Sequence, residues 1–251
     1  MRFIRYLKEN GEAQLGWVFE DRVGPVHGDI FKEFQRGEAK QPLSSTRLLA
    51  PLKPGKILCV GRNYAAHAHE HGAEVPEIPL MFFKPPSAVI GPGETIVLPP
   101  QSNHVEHEAE LAVIIGRPGR WISAENAMEH VFGYTVANDV TARDLQRSDS
   151  QWTRGKGFDT FCPIGPWIET EFDPSDALLT CHVNGEIRQM GSTRDMVFTI
   201  RQLIAFASSF LTLETGDLLL TGTPAGVGPL RPGDRVAVEI EGLGTLENEV
   251  V

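Results

Sequence analysis

Residues 104 to 116, HVEHEAELAVIIG, place Glu106, Glu108 and Glu110 at every second position and then run into unbroken apolar sequence. Side chains alternate across a strand, so neighbours at i and i+2 share a face with Cα atoms about 6.6 Å apart. Three glutamates therefore line one side of one strand. Alternating glutamates ordinarily mark a solvated face, but LAVIIG is apolar on both faces, as a buried strand requires. The last glutamates thus lie where solvent gives way to core. Carboxylates crowded there repel one another and take up protons unless a cation holds them. A hard divalent ion bound through two or three carboxylate oxygens is such a cation. Asp139, which closes the apolar run FGYTVAN ahead of the polar turn VTARD, is the best candidate for a further ligand, although taken alone an aspartate in that place is a turn residue. With oxygen donors and no cysteine, the set suits Mg2+, Mn2+ or Ca2+ better than zinc.

Further along the chain, GRNYAAHAHEHG sets His67 and Glu70 three residues apart, on one face of a helix. A carboxylate beside an imidazole orients it and raises its basicity, which is what a general base for water needs. His69 and His71 read as solvated neighbours. QWTRGKGFDTFCPIG carries Lys156 and Asp159 in a glycine-rich, irregular stretch that follows the turn containing Arg143. In an acidic chain, Arg143 and Lys156 beside a metal could hold a substrate carboxylate or a developing enolate, and surface salt bridges are the plainer account of both. TGTPAGVG, residues 221 to 228, offers backbone N–H groups and the Thr223 hydroxyl, and lacks the GK[ST] ending of a phosphate-binding loop.

The elements that must position these groups are mostly strands. RFIRYL, QLGWVFE and VGPVHG form a small β unit, residues 33 to 48 are polar and turn-rich, and a boundary falls near residue 50. Beyond it, helices are expected over residues 63 to 71, near 124 to 130, and after Thr199, an N-cap ahead of IRQLIAFASSFL. KILCVG is an apolar run. AELAVIIG, FGYTVAND, GDLLLTGTP, DRVAVEIEG and GTLENEVV read as strands, and CHVNGEIRQ as a hairpin turning on Asn184-Gly185. Without regular βαβ alternation the pattern gives an α+β class on a largely antiparallel or mixed sheet.

Composition bounds the partners. The chain has 251 residues, 41% of them hydrophobic and 22% charged, enough for a sizeable core. A net charge of −10 leaves no basic footprint for nucleic acid or an anionic membrane. The N-terminal MRFIRYLKENGE lacks the apolar centre of a signal peptide, and no apolar run approaches the roughly 20 residues that span a bilayer. A cytoplasmic protein is expected. Cys59, Cys162 and Cys181, odd in number and without CxxC spacing, are expected as reduced, buried thiols.

In order, GRNYAAHAHEHG, FFKPPSAVIGPGE, HEAELAVIIG, GYTVANDVTARDLQ, QWTRGKGFDTFCPIGPW, VNGEIRQ and GDLLLTGTPAGVGP resemble the fumarylacetoacetate hydrolase superfamily, in its short branch similar to 2-hydroxyhepta-2,4-diene-1,7-dioate isomerase. The resemblance covers most of residues 51 to 230. It implies an α+β fold with a rolled mixed β-sheet core and few helices, a small N-terminal β domain at 1–50 and a catalytic domain at 51–251, and a homodimer. It implies Glu108, Glu110 and Asp139 as ligands of Mg2+ or Mn2+, with Ca2+ as a substitute in crystals, which sets Glu106 aside. His67, Glu70 and Lys156 fall on catalytic positions, and Arg62, Tyr64, Arg143, Gln146, Asp159 and Thr223 on substrate-binding ones. The implied substrate is a small 2-oxo acid, handled through a pyruvate enolate stabilised by the ion. Acylpyruvate C–C hydrolysis or oxaloacetate decarboxylation is the leading expectation. Isomerisation of 2-hydroxyhepta-2,4-diene-1,7-dioate, or decarboxylation of 5-oxopent-3-ene-1,2,5-tricarboxylate, is the alternative within the family. Outside it stand a two-carboxylate glycosidase and a non-enzymatic Ca2+-binding β module.

Overall fold

The computed structural model, which describes residues 1–251, is built on a 13-stranded, a 5-stranded and a 3-stranded sheet with four short α-helices. The α+β class with a mixed sheet core is therefore observed. From edge to edge the main sheet runs through Phe34–Arg36, Arg22–Gly28, Ala13–Phe19, Arg2–Leu7, Cys162–Glu169, Val131–Asn138, Ala109–Ile115, Leu218–Leu220, Ile57–Gly61 and Leu80–Lys84. Most pairs are antiparallel, and Leu218–Leu220 lies parallel to Ile57–Gly61. Register shifts at Ile114/Ile115 and Tyr134/Val136 add the local twist that lets so broad a sheet curl.

Ala109–Ile115 is the strand on which the site depends. All seven of its residues are buried. Leu111, Val113 and Ile115 enter one apolar cluster with Leu203 and Ile204 of the helix Ile200–Phe210, while Ala112 and Ile114 enter another with Ile57 and Ile164. Each fully buried side chain of this kind stabilises the fold by about 1.5–3 kcal/mol. Glu110 shares the face of Ala112 and Ile114, so the packing that fixes the strand also fixes the carboxylate.

Residues 1–50 extend this sheet. Arg2 and Phe3 pair with Glu169 and Ile168, and Phe3, Val26 and Ile30 pack into the cluster that holds Ile57 and Ile164. The turn-rich stretch after residue 33 contains strands of only two or three residues, Phe34–Arg36, Gln41–Pro42 and Leu48–Leu49.

Helix Ile200–Phe210 begins where its cap predicts: Thr199 and Gln202 form a reciprocal capping box. The expected segment 63–71 condenses to Ala65–Glu70, and that near 124–130 to a 3-10 turn at Ala127–His130. VTARD is more than a turn, and the stretch after it is irregular only in part. They contain the helices Arg143–Ser148 and Thr153–Lys156, six and four residues long and too charged to show an apolar period. GDLLLTGTP is a strand only over Leu218–Leu220. The hydroxyls of Thr221 and Thr223 then donate to Leu111 O (2.9 Å) and Ala109 O (2.8 Å), and Gly222, at φ +98°, turns the chain aside. The Asn184-Gly185 hairpin forms with both residues at positive φ, and the three cysteines are free and buried.

Candidate active site

A break between the strands Val105–His107 and Ala109–Ile115 aims the carboxylates. At the break, Glu108 N donates to Asn138 Oδ1 (2.9 Å) and Asp139 N donates to Glu108 O (2.8 Å), which locks the ends of two neighbouring strands together. Glu108, Glu110 and Asp139 consequently converge, buried, with one ligand atom from each lying within 4.8 Å of the others. Glu106 stands apart from this group, held by Arg143 Nε (2.7 Å) and His104 Nε2 (2.7 Å).

Three cations reach the cluster. Lys156 Nζ donates to Glu108 Oε2 (2.7 Å) and Asp139 Oδ2 (2.6 Å), Lys84 Nζ to Asp139 Oδ1 (2.6 Å) and Val140 O (3.1 Å), and Arg143 Nη2 to Glu108 Oε1. Burial alone would raise the Glu108 pKa, but Lys156 and Arg143 outweigh it and hold this carboxyl well below the usual range. Lys156 is shifted the other way: burial opposes its charge, while Asp139 and Glu108 keep it protonated. Glu110 has only a backbone donor, Gly222 N at 2.7 Å. Burial, and then the like charges of Asp139 and Glu108, push its pKa well up. The cluster is therefore short of positive charge at one oxygen-rich point, and its all-carboxylate donor set fits a hard divalent cation.

Beside the carboxylates opens a cavity of about 370 Å3, lined by His67, Arg143, Gln146, Lys156 and Arg62 among others. His67 is buried, and burial lowers its pKa, leaving a neutral imidazole. Its Nδ1 lies 3.5 Å from Glu70 Oε2, longer than a hydrogen bond, and Glu70 instead accepts from Gly226 N at 3.1 Å. Gln146 accepts from Arg143 Nη1 (2.5 Å).

Three sequence expectations change here. Thr223 lines the cavity, but its hydroxyl already donates to Ala109 O and accepts from Gln189 Nε2 (2.7 Å). Asp159 is exposed and outside the lining, because its irregular stretch turns outward after Lys156. His71 is not solvated: it is half-buried, lines the cavity and stands edge-on to His67 with ring centroids 4.7 Å apart. Tyr64 is buried next to this region with an unpartnered hydroxyl, and His69 is exposed. Sequence reasoning missed Lys84, which closes the strand Leu80–Lys84, and Asn138. The signal for Lys84 was a lone lysine ending an apolar strand, LMFFK, where a chain end at the surface would be the ordinary account.

A curled sheet delivering clustered carboxylates and a buried lysine to one cavity defines a class of protein, and comparison with known proteins agrees. The family model described as fumarylacetoacetate (FAA) hydrolase C-terminal matches residues 56–251, and one described as Rv2993c-like, N-terminal, matches residues 1–51. The chain belongs to the fumarylacetoacetate hydrolase superfamily. It is 50% identical over 213 residues to Protein Rv2993c of Mycobacterium tuberculosis, covering 84% of this chain and 80% of that protein. It is 48% identical over 223 residues to the mitochondrial oxaloacetate tautomerase FAHD2A of Homo sapiens, covering 84% and 71%. The crystal structure of 2-hydroxyhepta-2,4-diene-1,7-dioate isomerase from Mycobacterium marinum superposes with a TM-score of 0.91 at 42% identity, covering 100% of this chain and 98% of that one. No helix is long and apolar enough to cross a membrane.

Proposed function

We propose that this chain is a divalent-cation-dependent enzyme that acts on 2-oxo acids through their enol or enolate form, hydrolysing the C–C bond of an acylpyruvate or decarboxylating oxaloacetate. The observation that carries the reading is the convergence of Glu108, Glu110 and Asp139 beside a cavity that also presents Lys156 and Arg143. In this role the three carboxylates would hold Mg2+ or Mn2+, which would supply Lewis acidity to a 2-oxo acid when bound. Lys156, kept protonated by Asp139 and Glu108, lines the cavity with Arg143, and the two would stabilise negative charge developing on the 2-oxo oxygen. Arg143 orients Gln146 toward the same space, and Tyr64 backs the helix that carries His67. His67, neutral, takes a proton from water as the water attacks the C4 carbonyl of an acylpyruvate. The C3–C4 bond breaks, its electron pair passes to the pyruvate fragment, and the proton returns at C3. Glu70 serves His67 once it turns from Gly226.

A second reading, keto–enol tautomerisation of oxaloacetate, is favoured by the 48% identity to the human protein bearing that name and by the open His67–Glu70 pair. It needs proton transfer between C3 and the 2-oxygen and no attacking water. Isomerisation of a 2-hydroxydienedioate is the same chemistry drawn out over a longer chain, the reading to which the Mycobacterium marinum neighbour points.

Ultraviolet absorbance of acetylpyruvate and oxaloacetate, with product identification by NMR, tests these readings. Turnover with Mg2+ or Mn2+ that EDTA abolishes is expected, with pyruvate and acetate marking hydrolysis, pyruvate and CO2 marking decarboxylation, and faster enol decay alone marking tautomerisation. Protein inert to every 2-oxo and 2-hydroxydienoic acid with either metal, or turnover indifferent to chelation, refutes the proposal.

A further inference from the structure

The short helix Ala65–Glu70 and its C-cap carry a donor cluster that the proposed chemistry uses only in part. His67, Glu70 and His71 stand at i, i+3 and i+4, and one donor atom from each lies within 4.8 Å of the others. His67 Nδ1 and His71 Nε2 are buried, and neither has a hydrogen-bond partner. The His67 side chain is only 7% exposed, so solvent does not satisfy its nitrogen either. Buried polar atoms without partners cost free energy, and here two of them lie around one carboxylate. The 3.5 Å between His67 Nδ1 and Glu70 Oε2 is too long for a hydrogen bond. It matches the separation of about 3.4 Å between a nitrogen and an oxygen that share one tetrahedral ion at roughly 2.0–2.2 Å.

The backbone sets this spacing. His71 N donates to His67 O (3.3 Å), closing one helical turn between the two rings. The helix then stops in a Schellman motif: Ala73 N donates to Ala68 O (2.9 Å), Gly72 N donates to His69 O (2.9 Å), and Gly72 takes φ +63°. His71 is thereby held at the C-cap, its ring edge-on to His67. His69, between them in the chain, is exposed and outside the cluster. Each oxygen of Glu70 lies 3.1 Å from Gly226 N, so one can turn to an ion while the other keeps that bond. Two imidazoles and a carboxylate are a softer donor set than the three carboxylates of Glu108, Glu110 and Asp139, and they suit Zn2+ or Cu2+ better than Mg2+.

We infer that His67, Glu70 and His71 bind a transition-metal ion of the Zn2+ class, at a site made of different residues from the carboxylate cluster, and that its occupancy stops water activation at His67. The inhibition rests on the reading of His67 as a general base, whereas the site does not. A neutral imidazole has one nitrogen lone pair. With Nδ1 given to the ion, the ring proton sits on Nε2, and no nitrogen is left to take a proton from water.

Calorimetry of the full chain with Zn2+ in excess Mg2+ tests the site. Wild-type protein should bind Zn2+, and His71→Ala should weaken that binding by roughly 10- to 100-fold or more, since removal of even an outer-shell partner costs that much. His71→Phe keeps an aromatic ring against His67 and removes the lone pair, so equal losses in the two variants set a folding defect aside. Electron paramagnetic resonance of bound Cu2+ should show nitrogen splitting from two imidazoles in wild type and in Glu110→Gln, and from one in His71→Ala. Oxygen ligands alone, or a Zn2+ affinity and Cu2+ spectrum that His71→Ala leaves unchanged, overturn the site. In turnover, Zn2+ added over Mg2+ should slow acylpyruvate cleavage roughly 100-fold, the lower end of what a positioned general base contributes, and leave oxaloacetate decarboxylation nearly unchanged. The His71 variants should escape that inhibition. If both reactions slow together in wild type and variants alike, the ion acts elsewhere and the inhibition through His67 is refuted. Two-imidazole binding in a protein inert to every 2-oxo acid keeps the site and removes the parent reading. Turnover in a protein that binds no Zn2+ through these histidines removes the inference and leaves the parent reading standing.

Discussion

Lys84 offers the sharpest test of how the carboxylate cluster is held. Its side chain is fully buried, and its Nζ joins the edge strand Leu80–Lys84 to Asp139 Oδ1 and Val140 O. Lys84→Met keeps the length and apolar stem of the side chain and removes the charge. Deleting one partner of a buried ion pair costs about 3–5 kcal/mol, because the other charge stays behind in a poorly solvating place. Lys156 still stands 2.6 Å from Asp139 Oδ2, so Asp139 does not lose all compensation. The lower end, about 3 kcal/mol, is therefore expected. For a chain of this size that corresponds to a Tm lower by about 6–12 °C. Urea unfolding in EDTA of wild type, Lys84→Met, Asp139→Asn and the double variant gives the coupling directly. The double variant should be less destabilised than the sum of the two single variants, because adding Asp139→Asn to Lys84→Met leaves no unpaired charge at that end of the strand. A Lys84→Met variant within about 0.5 kcal/mol of wild type, or strictly additive effects, would refute the reasoning.

Further outcomes follow from Glu110 and His67. Glu110 binds its proton more tightly in the folded protein than in the unfolded chain, so its contribution to stability in EDTA is present below the ordinary carboxylate value of 4.5 and is lost as the pH rises above it. Glu110→Gln should flatten that decline between pH 5 and pH 8 in thermal melts, and should also abolish the stabilisation by Mg2+ or Mn2+. A melt that still responds to the metal would exclude Glu110 as a donor. Burial lowers the His67 pKa, so kcat/KM should stay level down to the ordinary histidine value of 6.5 and fall below it. His67→Ala should suppress acylpyruvate cleavage more than oxaloacetate decarboxylation, and equal losses in the two would separate His67 from water activation.

Much of the fold was legible because its determinants are local. The doubly apolar run AELAVII reads as a buried strand and is one, and Thr199 with Gln202 writes a helix start into four residues. The strand period gathers Glu106, Glu108 and Glu110 and a strand end adds Asp139, while only the family resemblance set Glu106 aside. The helices at Arg143 and Thr153 were illegible for the opposite reason: both are short, charged and held by tertiary contacts rather than by an apolar face. Lys84 was hidden because nothing in LMFFK says that its final residue turns inward to Asp139, 55 residues away along the chain. His71 reads as solvated because it ends a polar, histidine-rich segment, and only the packing of its ring against His67 draws it into the cavity wall. Thr223 was visible as a polar group in a glycine-rich turn, but the bond that occupies its hydroxyl comes from the adjacent strand.

The position of Lys156 between Glu108 and Asp139 bears on how this protein responds to its ionic surroundings. On the proposed reading a divalent ion at those oxygens would meet a resident ammonium, so loading would be an exchange in which the chain itself is the competitor. Affinity then reflects the difference between two electrostatic states instead of the full strength of either. On that reading such a centre would exchange its ion with solution, and Lys156 would be freed from Glu108 and Asp139 as the ion took its place. Occupancy and the readiness of that lysine to meet an anionic substrate become two faces of one equilibrium.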